Sequence, residues 1–125
     1  MAPLPTQRPV LLIVDDDAAV LRSLAFMAGA RGYDVIGCAS AADAMARLDR
    51  SAACLILDQN LPDVQGFELL GRIRAAGIKA PALLMTTNPS LALKSLAAAV
   101  GVPIVEKPLL DESLFQQIER LLAEP

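Results

Sequence analysis

The segment CLILD, at residues 54–58, is a run of four apolar residues that stops on Asp58. An earlier run, VLLIV at residues 10–14, stops on three consecutive aspartates at residues 15–17. Short apolar runs bounded by polar residues are typical of buried strands. In open α/β sheets, ligands bind at the edge where the carboxyl ends of the strands lie. If these two strands are neighbours, their carboxylates meet in one crevice, which a cation or a bound proton must stabilise at neutral pH.

The composition limits the class of protein. The chain has 125 residues, enough for one domain of ordinary size with a substantial core. Hydrophobic residues make up 54% and aromatic residues only 3%, so we expect a core of alanine, leucine, valine and isoleucine. A net charge of -3 and the lack of any basic run argue against binding of nucleic acid.

The ends of the chain show no sequence typical of targeting or of membrane insertion. Residues 1–9 contain several prolines and no apolar stretch, so we expect a flexible N-terminal segment rather than a signal peptide. No apolar run approaches the length of about 20 residues that spans a bilayer. We therefore expect a cytoplasmic protein that does not bind a membrane.

Strand and helix patterns alternate along the chain. Apolar runs predict five strands, at residues 10–14, 34–39, 54–57, 82–85 and 103–105. The segments between them predict helices at residues 18–30, from 40, at 66–76, from 88 to 100 and from 111. Five strands that alternate with five helices predict a doubly wound parallel sheet, covered on both faces, in a single α/β domain over residues 10–123.

Polar residues mark where the predicted helices begin. The predicted caps, in chain order, are Asp16 or Asp17, then Ser40, Asn88 and Asp111. The asparagine is followed by a proline, which is common at the first position of a helix. These caps divide the chain into the same alternating units as the apolar runs.

Four motifs along this pattern carry a resemblance to a known family. They read VDDD at 14–17, LDQNLPDVQG at 57–66, LMTT at 84–87 and EKP at 106–108. In this order and spacing they resemble the receiver domain of two-component response regulators. The resemblance covers nearly the whole chain and implies a flavodoxin-like (βα)5 sheet of strand order 2-1-3-4-5. That order makes strands 1 and 3 neighbours, as the carboxylate crevice requires.

The resemblance also implies a metal and a phosphoacceptor. Asp58 would be the phosphoacceptor, whose carboxylate attacks the phosphorus of a phosphohistidine or small phosphodonor and forms an acyl phosphate. Mg²⁺ would be the cofactor, because it suits a few carboxylates together with phosphate oxygens. Its protein ligands would be Asp15, Asp16, Asp58 and the backbone carbonyl of Asn60.

Two further residues are assigned roles by the same resemblance. Lys107 would supply a fixed positive charge to the phosphoryl oxygens, and Thr86 would turn its hydroxyl onto the new phosphoryl group. The domain would catalyse its own phosphorylation and dephosphorylation but act mainly as a signalling switch. Its partners would be a histidine kinase or histidine phosphotransfer protein, and an effector domain or second copy bound through helix 4, strand 5 and helix 5.

The strand order predicts that the two cysteines stay reduced. Cys38 and Cys54 fall on strands 2 and 3, and strand 1 lies between them. Their separation would be about two strand spacings, roughly 9–10 Å. A disulfide requires Cα atoms within about 7 Å.

The output region departs from the family pattern. The family usually has an aromatic residue three positions before the lysine, where this chain has Ile104. The glycine-to-lysine spacing from Gly101 is one residue shorter than is common, and Pro103 lies within it. An aromatic side chain that rotates at this position therefore cannot report phosphorylation here.

Two alternative functions remain open at this point. The altered region is compatible with a receiver-like docking or dimerisation module in which phosphorylation is vestigial. A small enzyme is a weaker alternative. A phosphatase with an aspartate nucleophile requires a second aspartate two residues after the nucleophile, and this chain has Asn60 there. A flavin carrier requires a phosphate-binding loop after strand 1, where the aspartates at residues 15–17 would repel phosphate.

Overall fold

The computed structural model describes residues 8–108 and 112–124, in which five strands alternate with five helices. The strands are β1 (Val10–Val14), β2 (Asp34–Cys38), β3 (Ala52–Asp58), β4 (Ala82–Thr86) and β5 (Ile104–Glu106). The helices are α1 (Ala18–Ala30), α2 (Ala41–Ala46), α3 (Gly66–Ala75), α4 (Leu91–Ala99) and α5 (Ser113–Ala123). Within these two ranges, no helix has both the length and the apolar character needed to cross a membrane.

The strands form one parallel sheet in the order β2-β1-β3-β4-β5. The predicted flavodoxin-like fold with strand order 2-1-3-4-5 is therefore confirmed. Val14 at the end of β1 pairs with Leu57 in β3, and Asp58 pairs with Met85 in β4. This register places Asp15, which follows β1, and Asp58 at the same edge of the sheet.

Both faces of the sheet are buried, which explains why the strands are continuous apolar runs rather than alternating ones. On the side of α2, α3 and α4, the core contains Leu12, Leu55 and Leu84. On the side of α1 and α5, a second core contains Ile13 and Ile56. Burying one such side chain contributes about 1.5–3 kcal/mol, so these two clusters are the main source of stability.

Two of the predicted helix caps are confirmed. Asp17, rather than its neighbour, caps α1: its Oδ1 accepts hydrogen bonds from the amides of Ala19 at 2.9 Å and Val20 at 3.3 Å. Ser40 caps α2, and its hydroxyl accepts from the amide of Asp43 at 3.0 Å. Each bond satisfies an amide that has no partner inside its helix.

The predicted start of the fourth helix, with Asn88 as cap and Pro89 as first residue, is wrong. Helix α4 begins at Leu91, and its N-cap is Ser90, whose hydroxyl accepts from the amide of Leu93 at 3.0 Å. Asn88 has a φ of 49°, a left-handed conformation that asparagine tolerates better than most residues. It therefore turns the chain before the helix starts. Ser90, two residues after Asn88, was not among the predicted caps, but its hydroxyl reaches an amide of the first turn.

The predictions for the last helix and the last strand differ in outcome. Asp111, predicted to cap the fifth helix, lies outside the described residues; α5 begins at Ser113. Strand β5 begins one residue later than predicted, because Pro103 has no amide hydrogen to donate. Its carbonyl still accepts from the amide of Leu84 at 3.0 Å, so pairing with β4 begins there.

The two cysteines are free and buried, as predicted. Cys38 pairs with Val14 and Cys54 with Leu11, so β1 separates them. Burial raises the pKa of the Cys54 thiol to about 12. At neutral pH this thiol is therefore protonated and poorly reactive.

Candidate functional site

Asp58 ends β3 at the centre of the sheet, with only 3% of its surface exposed. Its Oδ1 accepts a hydrogen bond from the amide of Asn60 at 3.1 Å, and its Oδ2 accepts one from Nζ of Lys107 at 3.2 Å. The next amide, that of Gln59, donates to the carbonyl of Met85 at 2.9 Å, so the chain remains paired with β4 beyond the strand. The carboxylate is thus held between a backbone amide and a cation.

The aspartates that follow β1 supply two further carboxylates. Asp15 is fully buried; its amide donates to the carbonyl of Cys38 at 2.9 Å, and its Oδ1 accepts from the amide of Asp17 at 2.9 Å. Asp16 is exposed. Asp15, Asp16 and Asp58 each offer a carboxylate oxygen, and these oxygens lie within 4.8 Å of one another. The expected meeting of carboxylates is confirmed, and we call these three residues the acidic notch.

Lys107 reaches the acidic notch from the loop after β5. Its Nζ lies 2.8 Å from Oδ2 of Asp15 and 3.2 Å from Oδ2 of Asp58. Its backbone amide donates to the carbonyl of Thr86 at 2.9 Å, which fastens this loop to the end of β4. Burial alone would lower the pKa of Lys107, but the hydrogen bond to Asp15 and the charges of Asp58 and Asp15 outweigh burial and raise the pKa. The ammonium group is therefore charged at neutral pH.

The acidic notch has more negative than positive charge. Burial raises the pKa of Asp58, and the charge of Asp15 adds to this effect; the hydrogen bond from Asn60 and the charge of Lys107 oppose it without cancelling it. When ionised, three carboxylates face one ammonium group, a formal excess of two negative charges. A divalent cation would neutralise this excess. Because every donor is a hard oxygen, the residues present fit Mg²⁺.

Thr86 and Asn60, the other predicted site residues, lie next to the notch in the fold. Thr86 ends β4 and is buried. Its hydroxyl lies 3.4 Å from the carbonyl oxygen of Thr87, a long contact that holds the hydroxyl weakly. Asn60 forms an isolated bridge with Gln65, which closes the β3–α3 loop (residues 59–65) on itself. The roles of Thr86 and Asn60 stay predictions.

The β3–α3 loop also contains contacts that the sequence pattern does not reveal. The Gln59 side chain is buried, and its Oε1 accepts from the amide of Phe67 at 2.9 Å, which caps α3. At Gly66, a β-carbon would lie 2.4 Å from the carbonyl oxygen of Asp58. Helix α3 therefore starts in close contact with the backbone of the proposed phosphoacceptor. In the sequence, the glycine at the first position of the predicted helix is the one feature that could have indicated this close contact.

Two grooves open beside the notch. One, of 510 Å³, lies between α1 and the loops after β4 and β5, and its lining includes Val20, Met27 and Lys107. The other, of 340 Å³, lies between the β3–α3 loop and the start of α4, and its lining includes Thr86 and Asn88. Each groove reaches a predicted site residue or its neighbour, so small molecules and partner side chains can approach from outside.

Helix α4 presents apolar side chains to solvent. Its buried residues are Leu93 and Ala97. Three apolar side chains are exposed here: Leu91 by 82%, Leu96 by 52%, and Val100, the residue that follows α4, by 59%. Several large apolar side chains exposed on one short helix are compatible with a surface that binds another protein.

Ile104 occupies the position where the family usually has an aromatic residue. It lies in β5, pairs with Leu84 in β4, and packs partly buried against the core on the side of α2, α3 and α4. An aliphatic side chain packed in this way stays with the core. A relay by rotation of an aromatic side chain is therefore not available at this position.

Comparisons with known proteins agree with this geometry. The family model of the response regulator receiver domain matches residues 11–119. The transcriptional regulatory protein FixJ of Bradyrhizobium diazoefficiens is 35% identical over 127 residues, which cover 96% of this chain and 60% of that protein. The transcriptional regulatory protein TrcR of Mycobacterium tuberculosis is 30% identical over 114 residues, which cover 90% of this chain and 44% of that protein. The chain thus spans about half the length of these curated relatives.

Solved structures show the same fold. The chemotaxis protein CheY4 of Vibrio cholerae superimposes with a TM-score of 0.85 at 28% identity, over 93% of this chain and 100% of that one. A response regulator receiver domain protein of Methanospirillum hungatei gives a TM-score of 0.84 at 27% identity, over 93% of this chain and 94% of that one. The sequence motifs, the strand order and the family match agree, and the chain belongs to the family of response regulator receiver domains of two-component signal transduction.

Proposed function

We propose that this domain accepts a phosphoryl group on Asp58 from a histidine kinase or a histidine phosphotransfer protein, in a reaction that requires Mg²⁺. The observation that carries the proposal is the position of Lys107, whose ammonium group contacts both Asp15 and Asp58. A cation and clustered carboxylates at the carboxyl edge of a parallel sheet suit the transfer of a charged phosphoryl group.

In the transfer step, a carboxylate oxygen of Asp58 attacks the phosphorus of the donor phosphohistidine. A P–O bond forms as the P–N bond breaks, and the imidazole nitrogen of the donor leaves with the electron pair. The product is an acyl phosphate on Asp58. Lys107, freed from Asp58, pairs with the phosphoryl oxygens and keeps its contact with Asp15. The amide of Asn60 continues to orient the carboxylate from the other side.

The acidic notch and the loop after β3 would hold the metal. The ligands that we propose are the carboxylates of Asp15, Asp16 and Asp58 and the backbone carbonyl of Asn60. Bound Mg²⁺ supplies positive charge to the transferring phosphoryl group and lessens the repulsion among the carboxylates. In dephosphorylation, water attacks the phosphorus of the acyl phosphate, and the carboxylate of Asp58 is the leaving group. The domain thus promotes its own modification, but its main role is that of a switch.

We propose that the switch works through Thr86 and the loop before α4. A phosphoryl group adds nearly two negative charges and strong acceptor oxygens beside a hydroxyl that is weakly held. When Thr86 turns toward these oxygens, the loop that leads to α4 follows it. Within α4, the buried residues are Leu93 and Ala97, so few packed side chains would oppose a displacement of the helix. An effector domain or a second copy would read the change through α4, β5 and α5.

Phosphorylation can be tested directly. The protein is incubated with acetyl phosphate, with and without Mg²⁺, and its mass is measured. We expect the mass of one phosphoryl group to be gained only with Mg²⁺, to be lost in Asp58→Ala, and to be unaffected in Asp34→Asn, an exposed carboxylate at the opposite edge of the sheet. A mass gain in Asp58→Ala would refute the proposal. So would a wild-type protein that gains no phosphoryl group from any small phosphodonor or from a phosphorylated histidine kinase.

A second candidate is a docking or dimerisation module in which phosphorylation is vestigial. The observation that favours it is the apolar surface of α4, where Leu91 and Leu96 are exposed. Such a module would self-associate equally well as wild type and as Asp58→Ala. Analytical ultracentrifugation of both proteins, and of Leu91→Glu, decides the matter. A dimer that forms only after beryllofluoride is added would support the switch instead.

A further inference from the structure

Asp63, in the β3–α3 loop, binds a helix that is distant in sequence. Its Oδ1 accepts from the amide of Ala41 at 3.0 Å, and its Oδ2 accepts from the amide of Ala42 at 2.8 Å. These are the first two residues of α2, whose amides have no partner inside the helix. The helix's own cap, Ser40, satisfies the amide of Asp43. The N-terminus of α2 is therefore completed by a carboxylate from another part of the chain.

The contact has the chemistry of a firm attachment. A carboxylate that accepts two backbone amides makes charge-assisted hydrogen bonds, which are stronger than neutral ones. The N-terminus of a helix also favours a negative charge. The amides of Ala41 and Ala42 lower the pKa of Asp63, so the carboxylate is ionised at neutral pH.

The attachment lies next to the phosphoacceptor in the chain. Asn60 lies three residues before Asp63 in the loop, and its amide donates to Oδ1 of Asp58 at 3.1 Å. Leu61 and Val64 pack partly buried against the core, which holds the loop down but gives it no directional bond. At the tip of this loop, residues 61–64, the hydrogen bonds between described residues that reach another element are the two that Asp63 accepts from α2.

We propose that Asp63 is a positioning residue for the phosphoacceptor site. By binding the N-terminus of α2, it fixes the backbone of Asn60 so that the amide contacts Asp58 and the carbonyl faces the metal. The inference rests on the proposed function, because that function makes the Asn60 carbonyl a ligand. Asp63 itself touches neither metal nor phosphoryl group; it acts through the loop backbone.

The chain offers a matched control for this proposal. Ser40→Ala removes the bond from the amide of Asp43 to the Ser40 hydroxyl and leaves the β3–α3 loop untouched. Asp63→Ala removes the two bonds that tie the loop to α2, together with a local bond in which Oδ1 of Asp63 accepts from the amide of Val64 at 3.1 Å. Asp63→Asn keeps one acceptor oxygen and should give an intermediate effect. Two measurements are compared for these variants: hydrogen exchange of the Asn60 amide without metal, and the half-saturating Mg²⁺ concentration by calorimetry and by the rate of phosphorylation with acetyl phosphate.

We expect both alanine variants to lower the melting temperature, because both remove a cap of α2. Only Asp63→Ala should speed exchange at Asn60 and raise the half-saturating Mg²⁺ concentration, by about 10-fold, the usual effect of losing support behind a metal ligand. At saturating Mg²⁺ its phosphorylation rate should return close to that of the wild type. The proposal would be overturned if Ser40→Ala changed exchange at Asn60 and the half-saturating Mg²⁺ concentration as much as Asp63→Ala does, or if Asp63→Ala changed neither. A wild type that binds no Mg²⁺ would overturn the proposed function, while the exchange comparison would still decide whether Asp63 holds Asn60.

Discussion

Lys107 donates to Asp15, a fully buried carboxylate 92 positions earlier in the chain, across 2.8 Å. The pair joins the loop after β5 to the end of β1, although β3 and β4 lie between these strands in the sheet. Because Lys107 also contacts Asp58, one side chain connects β1 and β3 to the loop that follows the edge strand β5. The same side chain balances charge that burial would otherwise make costly.

Removal of this cation should destabilise the fold. Lys107→Ala leaves two buried carboxylates without their ammonium partner, and we expect the free energy of unfolding to fall by about 2 kcal/mol. Millimolar Mg²⁺ should restore part of the loss, because it supplies positive charge to the same carboxylates. Urea denaturation with and without Mg²⁺ measures both effects. Lys79→Ala, which removes an exposed lysine, is the control, and a loss as large in that variant would contradict the explanation.

The dependence of stability on pH should reveal Asp58. Burial first, and the charge of Asp15 second, raise its pKa in the folded protein. Between its unfolded pKa, near 3.9, and the raised folded pKa, the folded state binds more protons, so this group's contribution to stability falls as pH rises. Asp58→Asn should therefore gain stability relative to the wild type through this window and keep a constant advantage above it. Denaturation without divalent cations over this pH range measures the difference; a difference independent of pH would exclude this cause.

Gly66 should not tolerate a side chain. A β-carbon there would lie 2.4 Å from the carbonyl oxygen of Asp58 and 2.9 Å from its carbonyl carbon, so the backbone would have to move. We expect Gly66→Ala to cost about 1–3 kcal/mol, as overpacking does, and to slow phosphorylation of the displaced Asp58.

The matched control lies on the same helix. At Gly71, nothing lies within 4 Å of an added β-carbon, so Gly71→Ala should stabilise α3 by about 0.5–1 kcal/mol. Thermal denaturation of both variants tests the contrast. If both substitutions changed the stability in the same direction, the close approach of α3 to Asp58 would not explain why a glycine is required at Gly66.

Mg²⁺ should stabilise the folded protein by mass action. A ligand at about ten times its dissociation constant adds about 1.4 kcal/mol when it binds only the folded state. Asp16→Asn should reduce this gain, and it should leave the metal-free protein as stable as the wild type or more so, because it removes repulsion. Melting curves over a Mg²⁺ titration give both quantities. Glu119→Gln, the same charge change at an exposed residue of α5, should respond to Mg²⁺ like the wild type.

The sequence predicted the fold well because its signals were local and strong. The apolar runs that contain Leu12 and Leu55 are buried on both sides, and such runs identify parallel strands without knowledge of their neighbours. A cap was predicted to a single residue where one polar side chain stood alone, as at Ser40, whereas the run of aspartates before α1 left two candidates. The start of α4 was predicted wrongly because Asn88 and Ser90 compete, and which one reaches the first turn depends on the path of the loop.

The candidate site divides in the same way. The meeting of Asp15 and Asp58 could be predicted from two strand ends and a strand order. The bonds from Asp63 to α2 and the close approach of Gly66 to Asp58 could not, because they depend on how the β3–α3 loop crosses the surface. Sequence spacing identifies groups that share an edge of the sheet. The contacts that orient those groups come from packing between elements.

The sheet separates two cores, one beneath α2, α3 and α4 and the other beneath α1 and α5, and no side chain in residues 8–108 or 112–124 belongs to both. A displacement of α4 therefore disturbs one hydrophobic cluster and leaves the opposite one intact. If the proposed switch moves α4, half of the interior would therefore keep its packing during the rearrangement. A division of this kind would let one side of the domain serve as a scaffold while the other side responds to phosphorylation.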